Sequence, residues 1–235
     1  FQLAPATWRN FARVIPANDY KEQGFLRVHE MQDFVDRPEG SANTYATTNE
    51  RKEGVTVGAK STGFKYTYQM FRNDSVGLFL QIFDGIRQSA IQKPEKDFYA
   101  LLQSNSGLGP TMSDNKAMFH ADHQNIATSA AFSYAAITAA KIVARRKKGG
   151  GKDQLPLDIA FPNLLVPPEL EVAAGEIVGS TVKPGTGAEA INVRNAHQGM
   201  GFTSSPRLTS STRWWLAADV NDVPAFVAAF LDGKE

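Results

Sequence analysis

Residues 73–104 read NDSVGLFLQIFDGIRQSAIQKPEKDFYALLQS, and the reading of this stretch decides the fold. Val76, Phe79, Leu80, Phe83, Ile86, Ala90, Ile91, Phe98, Leu101 and Leu102 recur at spacings of three and four. That is the period of one helical face. Asn73, Asp74 and Ser75 each offer an N-cap oxygen, and Gly107 and Gly109 follow the end, where glycine stops helices. A helix of about 30 residues rises about 45 Å. Pro94 removes one backbone hydrogen bond, so a bend is expected there. The Phe79/Phe83/Ile86 face is expected to pack on a sheet.

Working outward, Met31–Thr62 is poor in large apolar residues and rich in charge and glycine. Val55 and Val57 alternate, as do Phe64, Tyr66 and Tyr68, which is a strand signature. Two strands, about Phe25–Phe34 and Val55–Met70, make a long hairpin with little core of its own. A lone hairpin is marginal in water, so it is expected to lie on an adjacent subunit. Before it, Trp8, Phe11, Val14 and Ile15 suggest a short helical face in an arm that packs on something else. After the long helix, Ser106–Asp122 reads as loops and short strands. Thr128–Lys148 reads as a second helix with Phe132, Ala136, Ala139, Ala140 and Val143 on one face. Leu155, Leu157, Ile159 and Phe161 alternate as a strand, Leu164–Val166 is a short apolar run, and Pro167-Pro168 opens a helix over Glu169–Val178. Pro184–Glu189 is a glycine-rich loop. Ala190–Val193, Arg207–Leu208 and Trp214–Ala217 are candidate strands, and Val223–Leu231 is a last apolar segment. The class is α+β.

The chain has 235 residues, 25 Lys and Arg against 24 Asp and Glu, a net charge of +1 and no cysteine. The charge balance argues against binding nucleic acid through overall charge. The lack of cysteine excludes disulfides, zinc–cysteine sites, iron–sulfur clusters and thiol catalysis. No stretch approaches the roughly 18 uncharged apolar residues of a membrane span, and no leader pattern is visible. No membrane partner is expected.

The most enzyme-like cluster is His120-Ala-Asp122-His123, whose two imidazoles stand three apart beside a carboxylate. It lacks the general-base glutamate of the H-E-x-x-H pattern and the third protein ligand usual for a catalytic zinc. The plainer reading is a structural turn whose polar side chains bond to backbone. Phosphate-binding and nucleophile-elbow motifs are absent. No catalytic, cofactor-binding or metal residue is therefore assigned, and no cofactor is expected. The run Arg145-Arg146-Lys147-Lys148, followed by Gly149–Gly151, is a candidate weak contact for DNA or for a symmetry axis. It is expected to sit on a mobile loop with few contacts inside the subunit; the plainer reading is a solvated helix end. Alternation puts Trp214 and Trp215 on opposite faces of a strand, which suits a sheet buried on both sides. An arm, a hairpin and a long helix that lack cores of their own imply an obligate assembly of interlocking copies.

That order of elements resembles the Hong Kong 97 phage capsid fold, and several phrases resemble the Mu-like major head subunit family. Phe71-Arg-Asn-Asp74 resembles the entry to its spine helix. Ala117-Met-Phe-His-Ala-Asp-His-Gln-Asn-Ile126 resembles its phrase a-L-F-h-a-d-H-g-N-l, with Gln124 where glycine is usual. Leu155–Pro168, ending Leu164-Leu-Val-Pro-Pro168, resembles its strand-to-helix phrase. Trp214-Trp-Leu-Ala-Ala-Asp219, then Pro224 and Phe230-Leu-Asp-Gly233, resembles its close. The matches run in order from about Trp8 to Gly233.

The resemblance implies an N-terminal arm over 1–28, an E-loop hairpin over 29–68, and a P domain over 69–127 with its spine helix at 74–104. It further implies an A domain over 128–205, with residues 206–235 returning to the core. It implies a tailed-phage major capsid protein that is not an enzyme and is located in the virion after assembly in the host cytoplasm. It would self-assemble as hexamers and pentamers of an icosahedral shell around double-stranded DNA, which it would touch non-specifically. Portal, scaffold or protease, and decoration proteins are the other implied partners. Loss of a segment ahead of Phe1 to a prohead protease is also implied. Two alternatives stand beside this: an encapsulin-type protein cage, which shares the fold, and a metal-dependent enzyme built on His120 and His123.

Overall fold

A computed structural model describes residues 6–28, 39, 50–73, 77–128, 130–149, 156–184 and 193–233. The hairpin tip, the cap candidates Asp74 and Ser75, Gly150–Gly151, and most of the Pro184–Glu189 loop and the Ala190–Val193 candidate strand lie outside the described residues.

The architecture turns on one short strand, β4 (Asn163–Val166). It pairs in parallel with β5 (Gly201–Ser204) and antiparallel with β6 (Trp215–Ala217). Leu164, Leu165 and Val166 are all fully buried. Side chains alternate along a strand, so Leu165 faces one core and Leu164 and Val166 face another. The two tryptophans divide as expected: Trp214 packs with Leu164's core and Trp215 with Leu165's. Arg207–Leu208 forms a turn rather than a strand.

The first core joins Trp8, Phe11, Ala12, Phe98, Tyr99, Leu102, Leu165 and Leu208. Trp8–Asn10 is a 3-10 turn, and β1 (Ala12–Ala17) follows it. β1 pairs in parallel with β7 (Phe226–Leu231), so the two ends of the chain close one ladder. Pro16 is tolerated because this is a two-stranded sheet, where a missing N–H can face outward. The expected helical face through Trp8, Phe11, Val14 and Ile15 is thus a turn and a strand. Trp8 and Phe11 pack on the long helix of their own chain.

That helix, α2 (Leu78–Leu102), runs through Pro94 as one element. It begins after Gly77, which takes a left-handed φ of 66° and gives no side-chain cap. Asn73 instead ends a separate short helix, α1 (Tyr68–Arg72), capped at its start by the Thr67 hydroxyl. The expected packing face is corrected. Phe83 is 59% exposed, and among the residues of α2 whose burial is described, the buried ones are Glu95, Phe98, Tyr99 and Leu102. The reason is reach: the β1–β7 ladder and Leu165 meet only the C-terminal end of α2. Beyond α2 the chain reverses through α3 (Ser104–Gly107), a single turn with left-handed Asn105 and Ser106. There Gly107 has φ 82°, and a Cβ would overlap the Arg213 guanidinium that donates to the Ser106 carbonyl.

The hairpin exists, but its second strand is displaced. β2 (Gln23–Val28) pairs antiparallel with β3 (Glu50–Val55), and Val55 is the last residue of β3 rather than the first. Residues 56–67 leave the ladder, and Tyr68 enters α1. The Phe64/Tyr66 alternation is therefore no strand; those two rings stack with centroids 6.3 Å apart.

The second core joins Ile137, Leu164, Val166, Ala174, Ile177, Val178 and Met200. It lies between α4 (Tyr134–Arg145) and α5 (Glu171–Gly179). Ser133 caps α4 by accepting from the Ala136 N–H at 3.2 Å. Pro167-Pro168 opens a 3-10 turn that leads into α5, as expected. Ile159 and Phe161 lie in no regular strand; the strand is the Leu164 run after them.

The packing sets one expectation. Phe98→Ala should destabilise the isolated subunit by about 3–5 kcal/mol, whereas Phe83→Ala should stay within about 0.5 kcal/mol. Chemical denaturation of dissociated subunits distinguishes them. Equal losses would mean that the Phe83 face is packed within one chain.

Candidate assembly surface

Large apolar side chains are exposed along one continuous stretch of sequence. Phe64, Tyr66, Tyr68 and Met70 precede α2, and Phe83 and Ile91 lie on it; Tyr68 is 74% exposed. A soluble monomer rarely leaves so much apolar surface open in one region. Phe25 on the hairpin, Val172 on α5 and Phe202 on β5 are exposed as well.

Directional contacts fix these elements to the cores. Glu95, buried on α2, accepts from the Thr7 hydroxyl at 2.5 Å and from the Trp8 N–H at 3.3 Å. The Tyr99 hydroxyl lies 2.7 Å from Thr7 Oγ1, and burial raises its pKa above the phenolic value. Gln103 donates to the Arg207 carbonyl and accepts from both N–H and hydroxyl of Thr209. Asp97 pairs with Lys60 and Lys93, tying the chain after β3 to α2. Burial pulls the Asp97 carboxyl up, but hydrogen bonds from the two lysines and their charges outweigh it and hold it below the carboxylate norm. The Ser113 N–H and hydroxyl both donate to Glu53 Oε1, which fastens β3 to the following loop.

That loop contains the histidine cluster. His120 Nδ1 accepts from the Asp122 N–H at 3.2 Å, and the His120 N–H donates to Asn125 Oδ1 at 3.0 Å. His123 has both ring nitrogens engaged: Nδ1 lies 2.9 Å from the Met118 carbonyl and Nε2 lies 2.8 Å from Asp114 Oδ2. Asp122 pairs with Lys116, whose hydrogen bond and charge hold its carboxyl below the usual range. Among the described residues no three His, Asp or Glu side chains converge as metal ligands would. His120, His123 and Asn125 bond to backbone groups, as expected of polar side chains in a turn. Gln124 ends it with a left-handed φ of 52°. That conformation explains why the resembling phrase has glycine there.

The basic run is tied down more than expected. Arg145, the last residue of α4, makes a two-point contact with Asp158, Nε at 2.5 Å and Nη2 at 3.2 Å. This raises the guanidinium pKa and lowers that of the carboxyl, both groups being fully exposed. The Lys147 carbonyl accepts from the Leu157 N–H, and the Lys148 N–H donates to Gln124 Oε1 at 2.9 Å. The expectation of few contacts inside the subunit is thereby corrected: an acceptor at 158 and a backbone bridge between Lys148 and Pro156 hold the run.

A cluster that sequence reading passed over surrounds His197. The imidazole is buried beside the Tyr134 ring and touches Thr138 and Lys141. Thr138 and Lys141 stand three apart on α4, but nothing local in the sequence joins them to a histidine on a later turn.

If the His120–His123 turn is structural, exchanging both residues for Gln should leave particle assembly indifferent to EDTA. Assembly that fails in chelator and returns on adding zinc would contradict this.

Residues 50–235 match the family described as phage capsid protein. Two solved structures share the fold. The bacteriophage JBD30 capsid aligns with a TM-score of 0.63 at 16% identity, over 87% of this chain and 91% of that one. The capsid of bacteriophage JBD30 decorated with minor capsid protein trimers aligns with a TM-score of 0.59 at 14% identity, over 89% of this chain and 92% of that one. No curated protein sequence matches the chain. A family match across most of the length, on a mixed helix-and-strand fold with an uncovered apolar flank, makes this chain a member of the phage capsid protein family, a major capsid protein of a phage.

Proposed function

We propose that the chain builds the icosahedral shell of a tailed-phage head, assembling as hexamers and pentamers around double-stranded DNA, with no catalytic role. The observation that carries this is the exposed apolar flank from Phe64 to Ile91 in a chain of the capsid family. Copies repeated by symmetry cover such surface on one another. The flank follows the β2–β3 hairpin in the chain, and a neighbour's hairpin is the natural cover.

The subunit divides in the Hong Kong 97 manner: arm 1–28, E-loop 29–68, P domain 69–127, A domain 128–205 and a return at 206–235. The order of hairpin, long α2, the α4–α5 unit and the returning β7 supports that division. The left-handed Gln124 supports the Mu-like branch, because it fits a position where that family's phrase has glycine. The basic run Arg145–Lys148 lies in the A domain near a local axis. Any DNA contact it makes is blind to sequence, since phosphates carry no base information. Portal, scaffold or protease, and decoration proteins complete the partners; the JBD30 relative is itself decorated with minor capsid protein trimers. The shell assembles in the host cytoplasm and ends in the virion.

Negative-stain imaging of the purified chain should show closed shells. The triple variant Tyr66→Ser, Tyr68→Ser, Phe83→Ser should keep the wild-type circular dichroism and lose the shells; deletion of residues 32–60, which removes β3, should leave a soluble subunit that builds no closed shells. Normal shells from both variants would sink the proposal. Native particles holding an enzyme cargo in place of DNA would favour the encapsulin reading.

A further inference from the structure

His197 has no part in the shell contacts argued above, yet it is only 3% exposed and its surroundings are built around it. Asn195 shapes the turn that carries it. The Asn195 amide donates to the carbonyls of Ile177, at 2.5 Å, and Ser180, at 2.8 Å, and its Oδ1 accepts from the His197 N–H at 2.8 Å. The imidazole centroid lies 4.5 Å from that of Tyr134.

The hydrogen bonds fix the tautomer. Thr138 Oγ1 donates to the Tyr134 carbonyl at 2.9 Å. A hydroxyl has one proton, so it has none left for His197 Nε2, which lies 2.9 Å away. Nε2 therefore carries the proton and donates to Oγ1. Nδ1 then presents a lone pair to Lys141 Nζ at 3.2 Å, and an ammonium group can only donate. The donations run in one direction, from Lys141 to His197 to Thr138 to the Tyr134 carbonyl. A proton on Nδ1 removes the acceptor and sets two cations against each other in a buried place.

Among the described residues, the other titratable and charged groups nearby give that proton no counter-charge. On α4, the Tyr134 hydroxyl accepts from the Ala196 N–H at 3.2 Å. Beyond α5, Lys183 adds a cation 5.5 Å from the Tyr134 ring centroid. On α5, Glu176 lines a surface cavity with Gly175, Gly179, Ser180 and Pro184, and Glu171 sits in the first turn. Arg194, on the same turn as His197, is exposed.

We propose that His197, Lys141 and Thr138 form a proton-sensitive latch that fastens the 195–200 turn to α4 at neutral pH and releases it in acid. The turn runs straight into β5, and its Met200 belongs to the second core, so release loosens the β5 edge beside β4. The inference stands on the subunit alone and does not depend on how copies assemble.

The sign follows from linkage. Burial first, and the Lys141 charge second, hold the His197 pKa below its ordinary value, and burial lowers that of Lys141 as well. The released turn takes up a proton near pH 6.5; the latched turn does so only at lower pH. The latch is thus at full strength above about pH 6.5 and weakens by up to about tenfold per pH unit below it.

Hydrogen exchange of the full chain tests this, with rates corrected for intrinsic pH dependence. Between pH 7.5 and 5.5, protection of residues 195–204 should fall, by up to about tenfold, while protection of residues 95–103 holds. His197→Gln keeps an acceptor and a donor without titrating, so its protection should be flat over that range. Unchanged wild-type protection, or the same acid loss in the Gln variant, would overturn the latch. Should the Gln variant fail to fold, Lys141→Met carries the same test: removing the cation should shrink the acid response, and an undiminished response would overturn the proposal.

Discussion

A strand buried on both faces governs the subunit. Leu164, Leu165 and Val166 have water on neither side, so β4 must be paired along both edges and covered above and below. An unpaired backbone group in such a place costs about 1–3 kcal/mol. The sequence around β4 follows from this. An unbroken apolar run replaces the alternation of a half-buried strand. β5 and β6 supply the edges, and Trp214 and Trp215 send one ring into each core. Neither core is large. Sharing β4 joins them, so that disturbing Leu165 is felt by the N-terminal turn as well as by α5.

Against that fixed point, α2 behaves as a beam held at one end. Glu95, Tyr99, Leu102 and Gln103 clamp its last turns through a buried carboxylate, a buried phenol, an apolar side chain and a forked amide. Toward its start, Phe83 and Ile91 face water. A helix with packing at one end and open apolar residues further along is incomplete alone, because most helix stability in proteins comes from a covered face. The Lys60–Asp97–Lys93 contact brings the hairpin's base to this beam.

Elements whose signal is local were legible in the sequence: α2 from its period, α5 from its prolines, and β6 from its paired tryptophans, whereas the strand before α5 was placed at Leu155–Phe161, ahead of the apolar run that forms β4. Elements defined by a distant partner were not. β1 was read as helical because Trp8, Phe11 and Ile15 are also spaced for a helix; its strand conformation comes from β7, at the far end of the chain. β3 was displaced because alternation through Val57, Phe64 and Tyr66 continues past the point where β2 stops offering hydrogen bonds. The Phe83 face was assigned correctly to one side of a helix, but periodicity cannot say whether the cover comes from the same chain. Of the candidate sites, the His120–His123 turn was legible as structure, because His, Asp and Asn close together in a loop commonly bond to backbone. The Arg145–Asp158 pair was not, since it needs the chain to turn back after the glycines.

The contrast between two histidines shows why residue type alone does not give chemistry. His123 faces a carbonyl and a carboxylate, which engage its two ring nitrogens. His197 faces a hydroxyl whose proton is already used and an ammonium group, so burial and the Lys141 charge outweigh the help a backbone bond with Tyr134 gives a second proton. Acid therefore weakens the contact beside β5. Both rings sit in connections between regular elements, where side chains rather than ladders satisfy the backbone. A fall in pH then loosens the 195–200 turn within this subunit while α2 and β4, held by apolar contact, stay as they are.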